Sequence, residues 1–156
     1  MIYTTYLAKL KNDPKMPERI GSCFVYHIAI ARAPKENRCV APSWKLLNYY
    51  KSTSKSLGND EKASQILWQN YEEDYLKQIR ESSEAQDWIQ KRSADAILGN
   101  ILLICYEKSN EHCHRRLLAE EIARFTGLNG KHAEYRGEFE LKVVCPNCMR
   151  VHREDD

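Results

Sequence analysis

The sequence predicts an α/β fold: a three-layer, Rossmann-like, mostly parallel sheet with flanking helices and a small C-terminal zinc-knuckle appendage. Three observations carry that expectation. Residues 101–105, ILLIC, form an apolar run long enough for a strand buried on both faces. Residues 21–31, GSCFVYHIAIA, are rich in β-branched and aromatic side chains and read as a second strand. The run at 101–105 also leads through a polar loop into helical spacing, a strand–loop–helix unit of the kind found in open α/β sheets.

Taken in order, residues 1–10 alternate β-formers with small residues and predict the first strand, ended by the Asn12-Asp13-Pro14 turn. The second strand runs into Arg32-Ala33-Pro34, where proline stops the ladder. Residues 35–40 read as a polar loop holding Arg38 and Cys39. Pro42 opens a helix over 43–51, with Trp44, Leu47 and Tyr50 on one side. Residues 52–60, STSKSLGND, read as a flexible loop in which Asn59 and Asp60 can cap the next helix. Helices are predicted over 61–82, carrying Ile66, Trp68, Tyr71, Tyr75 and Ile79, and over 84–99, carrying Trp88, Ile89 and Ile97. Beyond the loop at 106–112, Leu117, Leu118, Ile122 and Phe125 give a helix starting at Cys113, with Gly127 at its C-terminal cap. Residues 127–130 turn, and 139–144 alternate as a short strand. The expected division is an α/β domain over 1–128 and a tail over 129–156.

Composition narrows the class. A chain of 156 residues can bury a full core, and 42% hydrophobic with 29% charged residues is ordinary for a globular domain. A net charge of +2 announces no nucleic-acid binding, so any basic surface is local. No signal-peptide pattern and no apolar run of spanning length is present, which points to a cytoplasmic protein without membrane contact. In that compartment the six cysteines, 23, 39, 105, 113, 145 and 148, read as buried, metal-bound or reactive thiols rather than disulfides.

The chemistry concentrates after the strand at 101–105, where one loop holds Glu107, Lys108, His112, Cys113, His114, Arg115 and Arg116. Strand carboxyl ends and helix N-termini are where ligands, anions above all, are bound. Cys113 at a helix start beside Arg115 would be pushed towards a thiolate; nucleophile, metal ligand and buried small residue all stay open for it. His112 or His114 can serve as acid, base or oxyanion donor, and Arg115 can clamp a phosphate or carboxylate. Glu107 beside Lys108 suits the edge of a guanine-like base or a general base, and equally a structural ion pair. The expected pocket therefore joins Glu107, His112, Cys113, His114 and Arg115, with Arg32, Lys108 and Arg116 as ligand contacts, around an anionic or purine-containing ligand. Tyr49, Tyr50, Lys51, Tyr71, Tyr75, Lys77 and Arg80 read more simply as amphipathic helices with aromatic cores than as a stacking surface for nucleic acid.

The segment CYEKSNEHCHRRLLAEEIA resembles the signature of the DUF488 family, small bacterial, archaeal and phage proteins, and MIYTTYLAKLK and APSWKLLNYYK look like its short members. The resemblance spans residues 1–128 and is most specific over 105–116. It implies an α/β fold and, by association, a small enzyme of nucleic-acid or nucleobase modification. The most concrete form is a transferase that methylates a modified purine base in DNA, with S-adenosylmethionine as donor. Longer relatives end their second strand in Asp-Val-Arg before a proline. Arg32 and Pro34 fit that pattern, but Ala29 to Ala31 hold no aspartate, so a mechanism needing that carboxylate does not transfer. The alternative is a non-catalytic module that binds a nucleotide or nucleic acid; self-association stays open in both.

Beyond the resemblance, CPNCMRVH gives Cys145 and Cys148 the spacing of a zinc knuckle, with His152 a third ligand and His132, Cys39 or Cys113 a fourth. A redox dithiol or two unrelated thiols is the bland account of the same residues. The chain lacks Gly-x-Gly-x-x-Gly, a Walker loop and His-Glu-x-x-His, which removes ordinary dinucleotide, nucleotide-triphosphatase and zinc-protease readings. No glycine-rich loop follows the first strand, which argues against a standard Rossmann methyltransferase.

Overall fold

A computed structural model describes residues 1–31, 33–108, 111–127, 130–135, 139–144 and 150–153. Arg32, Cys145 and Cys148, and the turn residues Ser109 and Asn110, lie outside the described residues. The protein is a mixed α/β structure built on one six-stranded sheet with helices against it.

Strand β1 (Ile2–Tyr6) is followed by α1 (Leu7–Asn12) and α2 (Met16–Arg19), then β2 (Ser22–His27). A 3-10 helix (Lys35–Val40) leads to three α-helices, α3 (Trp44–Leu57), α4 (Glu61–Glu81) and α5 (Ser83–Leu98). Strand β3 (Asn100–Cys105) precedes α6 (His114–Phe125), and β4 (Lys131–Tyr135), β5 (Phe139–Val144) and β6 (Val151–Arg153) close the described chain. The sheet order is β2-β3-β1-β4-β5-β6. Pairings β2–β3, β3–β1 and β1–β4 are parallel, whereas β4–β5 and β5–β6 are antiparallel. Across the expected boundary at 128, β4 thus pairs directly with the N-terminal strand, Ile2 opposite His132 and Thr4 opposite Glu134.

Strand β3 lies inside the sheet, and its apolar run is shared between two cores. Ile101, Leu103 and Cys105 join Trp68, Tyr71 and Tyr75 of α4, Trp88 and Ile89 of α5, and Leu118 and Ile122 of α6. Leu102 and Ile104 join Met16, Ile20 and Tyr135 in a smaller cluster with Leu7 and Leu10 packed on it. Period-two alternation thus sends Cys105 towards the helices that carry the aromatic residues.

Three expectations are corrected. The first strand stops at Tyr6 instead of continuing to residue 10, because Leu7 and Leu10 sit three apart and pack on the small core as a helical face. The stretch 52–60 is helical as far as Leu57. Ser52 and Ser56 hydroxyls donate back to Tyr49 O and Thr53 O at 3.2 and 2.8 Å, which accommodates hydroxyl side chains within a helix. The polar stretch 35–40 forms a 3-10 helix. The caps follow the sequence: Ser43, Asp60 and Ser82 accept from Leu46, Ala63 and Ala85 amides, each interaction stabilising by about 1 kcal/mol.

Candidate functional site

Strand β3 ends at Cys105, and the chain returns eight residues later at Cys113, the N-cap of α6, with extended backbone (φ −150°, ψ 142°). His114 is the first residue of the helix. The two elements bring both sulfurs to one imidazole: Nδ1 of His114 lies 3.8 Å from Cys105 Sγ and 3.9 Å from Cys113 Sγ. Its other nitrogen, Nε2, is 3.0 Å from the Ile28 carbonyl, which can only accept. Nε2 therefore carries the proton and Nδ1 presents its lone pair to the sulfurs. Glu107 completes the group, with Oε2 3.3 Å from Cys105 Sγ and 3.2 Å from Cys113 Sγ. Cys105, Cys113 and His114 are all buried, and their ligand atoms fall within 4.8 Å of one another, a grouping that could hold a metal ion.

The electrostatics differ between the two thiols. Burial opposes ionisation of Cys113, but the hydrogen bond from the Cys105 thiol and the charge of Arg115 favour its thiolate, a protonated His114 ring would add to both, and Cys113 is held below the ordinary thiol range. Cys105 is pushed up, first by its hydrogen bond to Cys113 and then by burial. Burial also raises the Glu107 carboxyl, with the charge of Cys113 adding to it. The arrangement biases one sulfur towards its anion beside a thiol and a carboxyl that bind their protons more tightly than usual, with the His114 imidazole alongside.

Above this floor stands an aromatic wall. His112 stacks on Trp68 with centroids 4.4 Å apart and 14° between planes, and Trp68 stacks on Tyr71 at 4.9 Å and 18°. Tyr50 meets the edge of Trp68 and tilts against Tyr71, and Tyr75 sets its ring edge-on to His114. Tyr75 also donates to the Val40 carbonyl at 2.6 Å. Burial and Arg116 lower the basicity of His112, which favours the neutral ring in that stack. The wall bounds a cavity of about 300 Å³ lined by Tyr50, Lys51, Trp68, Tyr71, Glu107, His112, Cys113 and His114, with Leu47 and Glu111. A second hollow of about 120 Å³ on the other side of Glu107 and His114 reaches Cys105, Trp44 and Ala29 to Ala31.

This is also where comparison with known proteins becomes specific. The chain belongs to the DUF488 family. It matches the profile DUF488-N3a, described as the active DUF488-N3 subclade, over residues 6–125. No curated protein and no solved structure matches it. The span shared with DUF488-N3a holds Cys105, Glu107, His112, Cys113, His114 and the aromatic wall, and it ends before β4.

Of the residues expected in the pocket, Glu107, His112, Cys113 and His114 are brought together; Arg115 is not. Arg115 is fully buried, and its guanidinium pairs with Glu134 of β4 through Nε to Oε1 at 3.0 Å and Nη2 to Oε2 at 2.9 Å. Thr4 Oγ1 donates to the same carboxylate at 2.7 Å. The phosphate-clamp expectation for Arg115 is therefore overturned: its fork is filled by a carboxylate from another strand. It still serves the site indirectly, because Nη1 donates to the Glu107 carbonyl at 2.6 Å and holds that loop down. Arg116 Nη1 donates to the Glu111 carbonyl at 2.6 Å and Nη2 approaches Glu134 at 3.4 Å, again a structural part. Lys108 is exposed, its amide donates to Glu111 Oε2 at 3.3 Å, and its side chain lines neither hollow.

The tail also departs from expectation where it is described. His132 is buried within β4, and its Nε2 has no hydrogen-bond partner among the described residues. His152, on β6, is exposed. Register puts Lys131, Val143 and His152 on one face of the sheet and His132 on the other, so the two histidines do not converge on one ion. Sequence reasoning left out Cys105, Glu134 and Trp68, and it preferred a plain core to the stacking surface it weighed for Tyr50, Lys51 and Tyr71, which line the cavity. A strand parity count from the buried run could have aimed Cys105 at the loop. Trp68, Tyr71 and Tyr75 at helical spacing also fit an ordinary core stripe, which is why the core reading prevailed there.

Proposed function

We propose that the 300 Å³ cavity is the active site of a small enzyme that modifies a nucleobase or a nucleobase-containing ligand, free or in DNA. The observation that carries this reading is the joining of a reactive floor, Cys105, Glu107, Cys113 and His114, to a wall of stacked rings. A flat heteroaromatic base suits such a wall, since stacking on aromatic side chains is indifferent to base identity and contributes about 1–3 kcal/mol per base. The volume sits at the low end of small-molecule sites, about 300–1,000 Å³, which fits a base or nucleoside better than a larger ligand. Lys51, on the rim of both hollows, takes the place of Arg115 as the cation nearest an attached phosphate.

In its most specific form the reaction is methylation of a modified purine in DNA, with S-adenosylmethionine as donor. Glu107 takes the proton that the purine nitrogen gives up as the methyl group moves from sulfonium to nitrogen, leaving S-adenosylhomocysteine. The two clusters on alternate sides of β3 support the three-layer, Rossmann-like layering that goes with this reading. Zinc at the Cys145–Cys148 knuckle and a cytoplasmic setting belong to the same proposal. Among the described residues, no helix is long and apolar enough to cross a membrane, and Cys39, Cys105 and Cys113 are free thiols.

Calorimetric titration of the protein with purine nucleosides, nucleotides, S-adenosylmethionine and short DNA tests the reading, repeated on Trp68→Ala and Cys113→Ser. Binding that weakens in Trp68→Ala, with turnover lost and binding kept in Cys113→Ser, is expected. Binding without any turnover in the wild type would favour a nucleotide-binding module, and no binding of any purine would sink both.

A further inference from the structure

We infer that Cys105, Cys113 and His114 hold a zinc-class divalent cation, with the Glu107 carboxylate in the fourth position on the cavity side. The inference goes beyond the proposed reaction and does not rest on it, because an ion can be measured with no substrate in hand.

Geometry is the first argument. Tetrahedral zinc, with bonds of about 2.3 Å to sulfur and about 2.0–2.1 Å to nitrogen or oxygen, sets its S···N and S···O edges at about 3.5 Å. Here the two S···Nδ1 edges are 3.8 and 3.9 Å and the two S···Oε2 edges are 3.3 and 3.2 Å. Small side-chain shifts would close the Cys105–Cys113–His114 face, and Glu107, which meets both sulfurs but stands outside that trio's 4.8 Å grouping, would turn towards Nδ1 to complete the shell.

The orientation of His114 is the second. A ligating imidazole usually donates its other N–H to a carbonyl or carboxylate, which fixes the tautomer and turns the bare nitrogen to the metal. His114 does so through Nε2 and the Ile28 carbonyl, and the nitrogen left bare is the one facing both sulfurs. A histidine that merely filled core space would have no need to aim its lone pair at two thiols.

Charge and ligand type supply the third. Arg115 and Arg116 share the single Glu134 carboxylate, which leaves about one positive charge beside the site, too little to balance two thiolates and a carboxylate. Within a buried site that set is stable only with protons on it or a cation in it, and an ion exchanges for the thiol protons directly. Two sulfurs and an imidazole select zinc over magnesium or calcium, whose preferred ligands are oxygens. The fourth position matters most. Glu107 lines both hollows and, unlike the buried Cys105, Cys113 and His114, is partly exposed, so the one oxygen ligand is also the one most open to an entering ligand. Three protein ligands with an exchangeable fourth is the pattern of a reactive zinc site rather than a closed structural one.

The decisive material is full-length protein bearing Cys145→Ser and Cys148→Ser, which removes the candidate tail site, purified under reduction without added metal. Elemental analysis should find about one equivalent of zinc per chain. Replacement by cobalt should give an intense thiolate-to-metal charge-transfer band. Adding Cys105→Ser or Cys113→Ser should diminish that band and weaken the ion's affinity by more than about a hundredfold, beyond the effect of losing a group that only hydrogen-bonds to a ligand. Glu107→Gln should keep the thiolate band while altering the weaker ligand-field bands. If the added cysteine variants do not fold, X-ray absorption of the cobalt-loaded tail variant decides, with two sulfurs and two nitrogen or oxygen neighbours expected. A reduced tail variant that takes up neither zinc nor cobalt overturns the inference. So does a bound ion whose neighbours are all nitrogen and oxygen, or one indifferent to Cys105 and Cys113. Purine titrations that fail on protein still carrying the ion would remove the proposed reaction and leave this site standing.

Discussion

Two groups of ionisable residues meet at the first turn of α6, and successive residues of one short run divide between them. Cys113 and His114 turn towards Cys105, Glu107 and the cavity, where a thiol is driven towards its charged form. Arg115, the next residue, turns towards β4 and disappears into a doubly bonded pair with Glu134, with Thr4 and Arg116 on the same carboxylate. One group holds polar atoms beside an open hollow and the other has its hydrogen bonds filled internally. A step of about 100° per residue is enough to separate them. Density of reactive residue types in a sequence therefore locates a site, but helix phase decides which members belong to it.

The largest expected effect tests the sealed side. Arg115→Met leaves Glu134 buried with its main partner gone, and the loss measured by urea unfolding should be roughly 3–5 kcal/mol. Replacing both residues, as Arg115→Met with Glu134→Leu, should recover much of it, because a buried ion pair is expensive to break and inexpensive to exchange for apolar packing. If the single variant costs less than about 1 kcal/mol, the scale of an exposed pair, the contrast between the two groups fails.

How far the sequence revealed this arrangement depends on the range of the interactions. Helices α4 and α5, strand β3 and the start of α6 were legible because apolar spacing and capping residues act over a few positions. Strand β4 was not, since its sequence KHAEY puts His132 and Glu134 at buried positions and shows no apolar alternation. What makes Glu134 acceptable in the core is Arg115, nineteen positions earlier, and such a pairing has no local signature. The floor of the site was half visible: the loop residues stood out, whereas Cys105 looked like the end of a buried strand. The wall depends on α4 lying against the loop, a tertiary fact.

A second, smaller effect separates buried His132 and partly buried Glu120, on neighbouring elements, by their opposite pH dependence. Burial, with Lys142 nearby, holds His132 down at about 4, below its ordinary 6.5. The unfolded chain therefore takes up the proton first, and the stability from a neutral His132 is present above pH 6.5 and lost as pH falls towards 4. Burial holds Glu120 up at about 7, above its ordinary 4.5. Its contribution is present below pH 4.5 and lost as pH rises through 7. Each slope is at most about 1.4 kcal/mol per pH unit. Between pH 4.5 and 6.5 they oppose, so the wild type should be flatter than either variant. Urea unfolding across that window should show His132→Met gaining stability as pH falls and Glu120→Gln losing it. Parallel profiles for all three proteins would remove both assignments.

On the open side the expected effects are in binding rather than folding. Trp68→Ala removes the ring between His112 and Tyr71 and should weaken a purine ligand by about 1–3 kcal/mol, the range for a lost stacking contact. Some of that change would come from repacking of Tyr71, so Trp68→Phe is the sharper comparison. It keeps an aromatic face and should retain most of the affinity, measured by calorimetry on protein shown to be folded. Equal losses for alanine and phenylalanine would mean the site needs the indole for packing alone.

The smallest effect concerns Lys51, the cation proposed to take over the role expected of Arg115. Lys51 is exposed on α3 and lines both hollows, so its ammonium is placed to meet a phosphate attached to a bound base. Water remains around it, which limits its contribution to the scale of a surface ion pair, below about 1 kcal/mol. Lys51→Ala should therefore weaken a nucleotide by less than about fivefold and leave the matching nucleoside unchanged, with the difference shrinking as salt is added. Arg115→Lys makes the complementary case: it alters a sealed pair, and a lysine cannot reproduce the two-pronged bond to Glu134, so it should lower stability without distinguishing nucleotide from nucleoside. Should the nucleotide preference follow Arg115 instead of Lys51, the guanidinium reaches ligand after all, and the division drawn at the first turn of α6 would have to be redrawn.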